Sequence, residues 1–236
     1  MKKDIKKFAV LSLLFLLTNL FTANLFKTVV AKNITLIGSD HILIDDIIEN
    51  TSLKIPTKLI FIKTKLIEKE LKQNFSLKQI SITRKIFPFG LTIYIKQRVP
   101  VAFAEKIVED KVVEGFVDIE GIFIGKRYLP YEERLKNTIK IFGWNNEYKN
   151  FISKILKSYS KSDDLKAINI SSEGFITLED KKLEKIFLGS KPQEINQQLI
   201  FINDIKNQLS KIKLQKKVKS LDLSDPFNPQ IKVFIP

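Results

Sequence analysis

The chain has no cysteine, one histidine, one tryptophan and one methionine in 236 residues. The missing thiol excludes a disulfide framework, thiolate metal sites and cysteine nucleophiles. The lone His41 cannot build a metal centre or a serine triad without partners, and its polar setting reads as surface. No G-x-S-x-G is present, and the "GIFIGKR" stretch (121–127) has its glycines too close for a phosphate loop, with no hydroxyl after the lysine. The acid pairs Asp45–Asp46 and Asp163–Asp164 fit helix starts or loops, and Trp144 with Tyr148 reads as core packing ahead of an aromatic ligand patch. A non-enzymatic chain that needs no cofactor and no metal is the expectation.

Arginine is scarce as well. Of the 40 basic residues only Arg84, Arg98, Arg127 and Arg134 are arginine. Phosphate and groove readers favour the planar guanidinium fork, and the lysines here are scattered. The formal charge of +14 therefore reads as solvated lysine, and nucleic acid is not an expected partner.

What the sequence does have is a strongly patterned N-terminus. Lys2, Lys3, Lys6 and Lys7 precede a run from Phe8 to Phe26 without a charge. A helix of that length just reaches across a hydrocarbon core of about 30 Å. The lysines would hold residues 1–7 in the cytoplasm, with residues 8–30 as a transmembrane anchor and the rest outside. A cleaved signal peptide is the competing reading, with Val29-Val30-Ala31 as a cleavage site; the length of the run favours an uncleaved anchor.

Beyond it, "NITLIG" (33–38) predicts a strand. Ile44, Ile47 and Ile48 predict a short helix with Asp45 and Asp46 in its first turn, where they complement the helix dipole. Leu66, Ile67 and Leu71 form one face of a second helix. Two alternating strands follow: Ile80, Ile82 and Ile86 point one way in the first, Leu91, Ile93 and Ile95 in the second, with a Pro88–Gly90 reversal between them. The order is β-α-α-β-β over residues 31–99.

An anchor, this order, Gly38 closing the first strand, Arg84 and Pro88 at the turn, and the exit Arg98-Val99-Pro100-Val101-Ala102 together resemble the FtsQ/DivIB family of cell-division proteins. The resemblance implies a POTRA-like domain. Such modules also occur in outer-membrane transporters, usually in tandem ahead of a barrel; one copy is visible here, and no run of amphipathic barrel strands follows.

Residues 100–236 read as a β-domain with two helices. Strands reverse at Glu109-Asp110-Lys111, Glu120-Gly121 and Glu173-Gly174. The helices are carried by Phe151, Ile152, Ile155, Leu156 and Tyr159, and by Ile195, Leu199, Ile202, Ile205 and Leu209. "VDIEGIFI" and Leu129-Pro130 suit the family's extracytoplasmic β-domain. One departure stands out: where the family commonly has arginine after Asp-Leu in the penultimate strand, Asp222-Leu223 is followed by Ser224.

The expected fold class is therefore α+β: a transmembrane helix, a POTRA-like module, then a mixed or antiparallel β-domain. The expected function is a bitopic scaffold at the septum of the plasma membrane. Its partners would be the lipid bilayer and division membrane proteins, including coiled-coil proteins similar to FtsB/DivIC and FtsL. The physical route would be strand addition to an exposed terminal strand. In "QIKVFIP" the expectation puts Ile231, Val233 and Ile235 against the core and Gln230, Lys232 and Phe234 outward, with Phe234 as first anchor. Ser224, Arg84 and Arg98 complete the candidate partner-binding set, although turn geometry and sheet-edge charge are the commoner roles for the arginines. A POTRA-bearing component of an export or outer-membrane assembly system is the alternative, and a glycan enzyme with an unrecognised carboxylate pair is a third reading.

Overall fold

The computed structural model describes residues 2–39, 41–128, 139–190, 194–211 and 218–233. The chain divides into two compact units, Met1–Arg98 and Val99–Pro236. Leu129, Pro130, Phe234 and Ile235 lie outside the described residues.

The first unit begins with α1 (Lys2–Leu25), so the apolar run is helical as its sequence predicts. Among the described residues, however, no helix is long and apolar enough to cross a membrane, which corrects the expected anchor over 8–30. The physical reason lies in both ends of the helix. Its first two turns carry Lys2, Lys3, Lys6, Lys7 and Asp4. Its charge-free part stops at Leu25, well before the expected end of the anchor at residue 30, and rises roughly 27 Å, at the short limit for a hydrocarbon core. Within that span Ser12, Thr18, Asn19, Thr22 and Asn24 dilute the apolar surface, and Asn24 is already buried in the folded unit.

After α1, β1 (Thr28–Val29) pairs with β3 (Thr57–Lys58), and Leu59 N–H donates to the Lys27 carbonyl at 3.1 Å. The main sheet has the order β2-β5-β4, from β2 (Ile34–Ile37), β4 (Gln79–Lys85) and β5 (Gly90–Lys96). β2 runs parallel to β5 and β4 antiparallel to it. Helices α2 (Ile44–Glu49) and α3 (Thr64–Asn74) complete the unit. Most of the predicted periodicities explain the core: Leu91, Ile93 and Ile95 of β5 are buried together with Ile47 of α2 and Ile67 and Leu71 of α3, whereas Leu66, predicted on the same face as these two, is exposed. Burying each such side chain is worth about 1.5–3 kcal/mol. At the opening of β5, Gly90 has φ +149°, and a Cβ there would lie 2.0 Å from the Asn33 carbonyl oxygen. Only glycine lets β2 start this close alongside β5.

The second unit is one mixed sheet. Its strands are β6 (Pro100–Val108), β7 (Lys111–Asp118), β8 (Phe123–Gly125), β9 (Lys140–Phe142), β10 (Leu165–Ile170), β11 (Ile176–Asp180), β12 (Glu184–Gly189), β13 (Val218–Asp222) and β14 (Gln230–Val233). Among the described residues they stand in the order β14-β13-β12-β11-β10-β9-β6-β7-β8. α4 (Lys149–Tyr159) connects β9 to its parallel neighbour β10, and α5 (Ile195–Lys211) connects β12 to its parallel neighbour β13. Both crossovers step the same way along the sheet from strands of the same direction. Crossovers of one hand therefore put both helices on one face.

That face holds the core: Phe151, Ile152, Ile155 and Leu156 of α4 and Ile195, Leu199 and Ile202 of α5 pack on Ile141, Ile168, Leu178, Ile186 and Leu221. A polar cluster is sealed beside it. Lys206 of α5 bonds the buried Asp180 and reaches Asp164 at 3.2 Å, and its ammonium sits 4.2 Å from the Tyr159 ring centroid. Asp180 also accepts the N–H groups of Lys182 and Leu183. Burial, and next the charge of Asp180, push the Tyr159 phenol above its ordinary value. Farther along α5, Gln198 is fully buried, and its amide donates to the carbonyls of Leu188 and Leu223, both at 2.8 Å. One side chain thus ties the ends of β12 and β13 together.

Candidate functional site

Among the described residues, the sheet of the second unit ends in β14, which pairs on one side only. Its antiparallel register sets Gln230 opposite Asp222, Ile231 opposite Leu221, Lys232 opposite Ser220 and Val233 opposite Val218. Directly opposed residues share a face. Ile231 and Val233 thus point to the same side as the buried Leu221 and Val218, which is the face the sequence predicts.

Their burial is another matter. Ile231 is 50% exposed and Val233 41%, and all four residues of β14 are open to solvent. This corrects the expectation that Ile231 and Val233 are core residues. Alternation fixes which way a side chain points, but only a covering layer removes it from water, and none of the described residues covers this edge strand. The apolar face of the sheet runs off its end unfinished, next to a row of unpaired backbone groups.

Gln230 and Lys232 take the opposite face, as predicted. In the same cross-strand row as Gln230 stand Asp222 and the exposed Phe187 of β12. Ser224 lies just past β13, exposed, its N–H bonded to the Asp222 carboxylate at 3.0 Å. Gln198 holds the preceding Leu223 carbonyl, so Ser224 sits on a fixed corner. At the tip of the β13–β14 hairpin, Phe227 is 81% exposed, on a turn closed by Asp225, which accepts the Phe227 N–H at 3.0 Å. Phe227 is not among the candidate residues that the sequence singles out. The available signal was an aromatic between Pro226 and Pro229, where a turn gives it nothing to pack on.

Gln230 and Lys232 share one face of β14, Ser224 lies at the hairpin end beyond β13, and the arginines lie elsewhere. Arg84 is in β4 of the first unit, and its guanidinium donates to the Ile62 carbonyl, clipping the strand to the segment that leads into α3. Arg98 is buried where the first unit ends. Phe234, the expected anchor, lies outside the described residues.

Several of the other chemistry-bearing residues bond within the fold. His41 is exposed. The Asp46 carboxylate accepts the Leu43 N–H at 3.0 Å at the start of α2. Asp164 bonds Lys182 and Lys206. Burial pushes its carboxyl upward, but those two lysines outweigh it and hold the carboxyl below the ordinary value. Trp144 and Tyr148 are half-buried against the core, and Trp144 Nε1 donates to the Gly121 carbonyl at 3.1 Å. They also line a groove of about 490 Å³ with Lys106, Val108 and Ser171. Among the described residues no cluster of His, Asp or Glu is suited to a metal ion.

Residues 30–98 match the family model described as "POTRA domain, FtsQ-type". Residues 30–98 of the first unit are therefore an FtsQ-type POTRA domain, and the match supports the resemblance of the chain to the FtsQ/DivIB family. No curated protein matches the chain.

Proposed function

We propose that the chain is a non-catalytic scaffold of the cell-division machinery, acting outside the cytoplasm at the septum and docking other division proteins by strand addition at β14. The FtsQ-type POTRA domain supports the division setting. The observation that carries the docking mode is the bare β14 edge, where a strand with half-exposed Ile231 and Val233 continues the face of Leu221 and Val218. An extended partner segment would complete the backbone ladder and cover both side chains. Partners similar to FtsB/DivIC and FtsL come with the family resemblance. The anchor helix forms no part of this proposal.

The test is live imaging of a fluorescent fusion with the native copy depleted. A mid-cell band, with filamentous cells when the fusion is withheld, is the expected result. Uniform fluorescence with normal division would reject the scaffold and favour a POTRA-bearing export component, whose client would be an unfolded polypeptide.

A further inference from the structure

The POTRA unit carries a second open surface, unrelated to the β14 edge. Residues 51–67, "TSLKIPTKLIFIKTKLI", hold four lysines and no acidic residue. They fold into β3, a 3-10 turn (Leu59–Phe61) and the first turn of α3. Leu59, Ile62 and Ile67 turn inward and are buried, while Ile60, Phe61 and Leu66 turn outward and are exposed, Phe61 at 65%. Between them runs a groove of about 280 Å³, with Phe61 and Leu66 on its walls and Lys54 and Lys63 among its lining residues.

Of the four lysines only Lys65 is paired among the described residues, with Glu68, and the nearby carboxylates leave the other three unneutralised. Glu70 accepts the Ser52 N–H at 2.7 Å, and Glu68 accepts from Ile82 N–H and Lys65, both at 2.8 Å. Among the described residues Lys54, Lys58 and Lys63 make no ion pair; Lys58 sits 5.9 Å from the ring centroid of the exposed Phe26.

We infer that this lysine-rimmed apolar patch is a contact surface for anionic lipid headgroups. Outward Phe61, Ile60 and Leu66 would enter the headgroup layer, while Lys54, Lys58 and Lys63 meet the anionic charge. Charge complementarity favours that occupant, and so does continuity. Lys27 binds Leu59, and the β1–β3 pair binds Thr28 and Val29 to the patch, so the patch is fixed to the end of α1. On α1, Val10, Leu11 and Leu13 through Leu17 are all exposed. A lipid surface that covers the apolar side chains of α1 also meets Phe26, Phe61 and the lysines. The inference concerns a surface contact and needs no crossing of the membrane.

The test uses the full chain, whose lack of cysteine permits a single Phe61→Cys site for an environment-sensitive NBD label. Vesicles of phosphatidylcholine with phosphatidylglycerol should blue-shift its emission, and added salt should reverse the shift. Pure phosphatidylcholine should leave the emission unchanged, and so should the anionic vesicles with a label at exposed Val112→Cys in the other unit. Introducing Lys54→Glu, Lys58→Glu and Lys63→Glu should raise the lipid needed for half the change by about tenfold or more, with an unaltered thermal melt. If that variant melts early, Lys58→Gln with Lys63→Gln replaces it. The inference falls if no vesicle shifts the label, if neutral vesicles shift it equally, if the Val112 label responds alike, or if the folded charge variant keeps the full response. A shift with soluble polyglutamate that vesicles cannot produce would instead mark a docking site for an acidic protein.

Discussion

The two units treat a free sheet edge in opposite ways. In the POTRA domain the edge strand β4 is guarded: Ile82 N–H, directed away from β5, is taken by the Glu68 carboxylate of α3 at 2.8 Å, and Arg84 is tied to Ile62. In the second unit β14 ends the sheet with no guard among the described residues and with apolar side chains half out in water. An edge that is only a liability is blunted, whereas an edge left open is a template. The difference teaches where to look for a partner. On the proposed reading the docking edge is β14 and not β4.

The largest effect should come from the interior of the second unit, and it tests whether the open edge rests on a rigid support. Replacing Lys206 with Met leaves Asp180 and Asp164 without their shared cation, at a cost of about 3–5 kcal/mol. Chemical denaturation followed by the fluorescence of Trp144, the sole tryptophan, measures it. A loss below about 1 kcal/mol would mean that the cluster does not hold α5 to the sheet.

Removing the guard is next. Glu68→Ala deletes a charge-assisted bond to a backbone N–H and should cost about 1.5–3 kcal/mol. It should also give the chain a concentration-dependent self-association in sedimentation runs. A variant that stays monomeric breaks the contrast between the edges. The same residue gives the contrast a pH signature. Burial raises Glu68, but the hydrogen bonds from Lys65 and Ile82 N–H and the Lys65 charge outweigh it, so the folded value lies below the unfolded one. Its stabilisation is therefore complete above the ordinary carboxylate range and is lost as pH falls through the lowered folded value. Asp164 follows the same sign in the other unit. Thermal melts across acid pH should thus show a steeper loss in the parent chain than in Glu68→Ala.

The smallest change in stability should accompany the largest change in binding. Ile231→Asp with Val233→Asp alters exposed positions and should move folding by about 0.5 kcal/mol or less per site, while abolishing pull-down of the division partners. A fall in stability that matches the loss of binding would show that β14 is a structural strand and not a docking edge.

Much of the fold was legible in the residues. The β-α-α-β-β order, the two helices of the second unit and the turns at Glu109–Lys111 and Glu173–Gly174 all follow from periodicity and turn chemistry. Those are local properties, written within a window of some ten residues. The candidate site was read less evenly. Gln230 and Lys232 face outward as predicted, while Ile231 and Val233 have the predicted face but not the predicted burial.

The sequence by itself determined the element types, the facing of side chains on each strand, the absence of thiol chemistry and the resemblance to a division family. Only the tertiary structure decided which strand is an edge, which edge is guarded, and where the helical cover stops. Strand order depends on contacts far apart in sequence. Glu68 meets Ile82 from another element, and Gln198 joins Leu188 to Leu223 across a crossover. The alternation of a strand is the same whether a layer lies over it or water does, so burial at β14 was decided by what packs above the sheet and not by the residues of the strand.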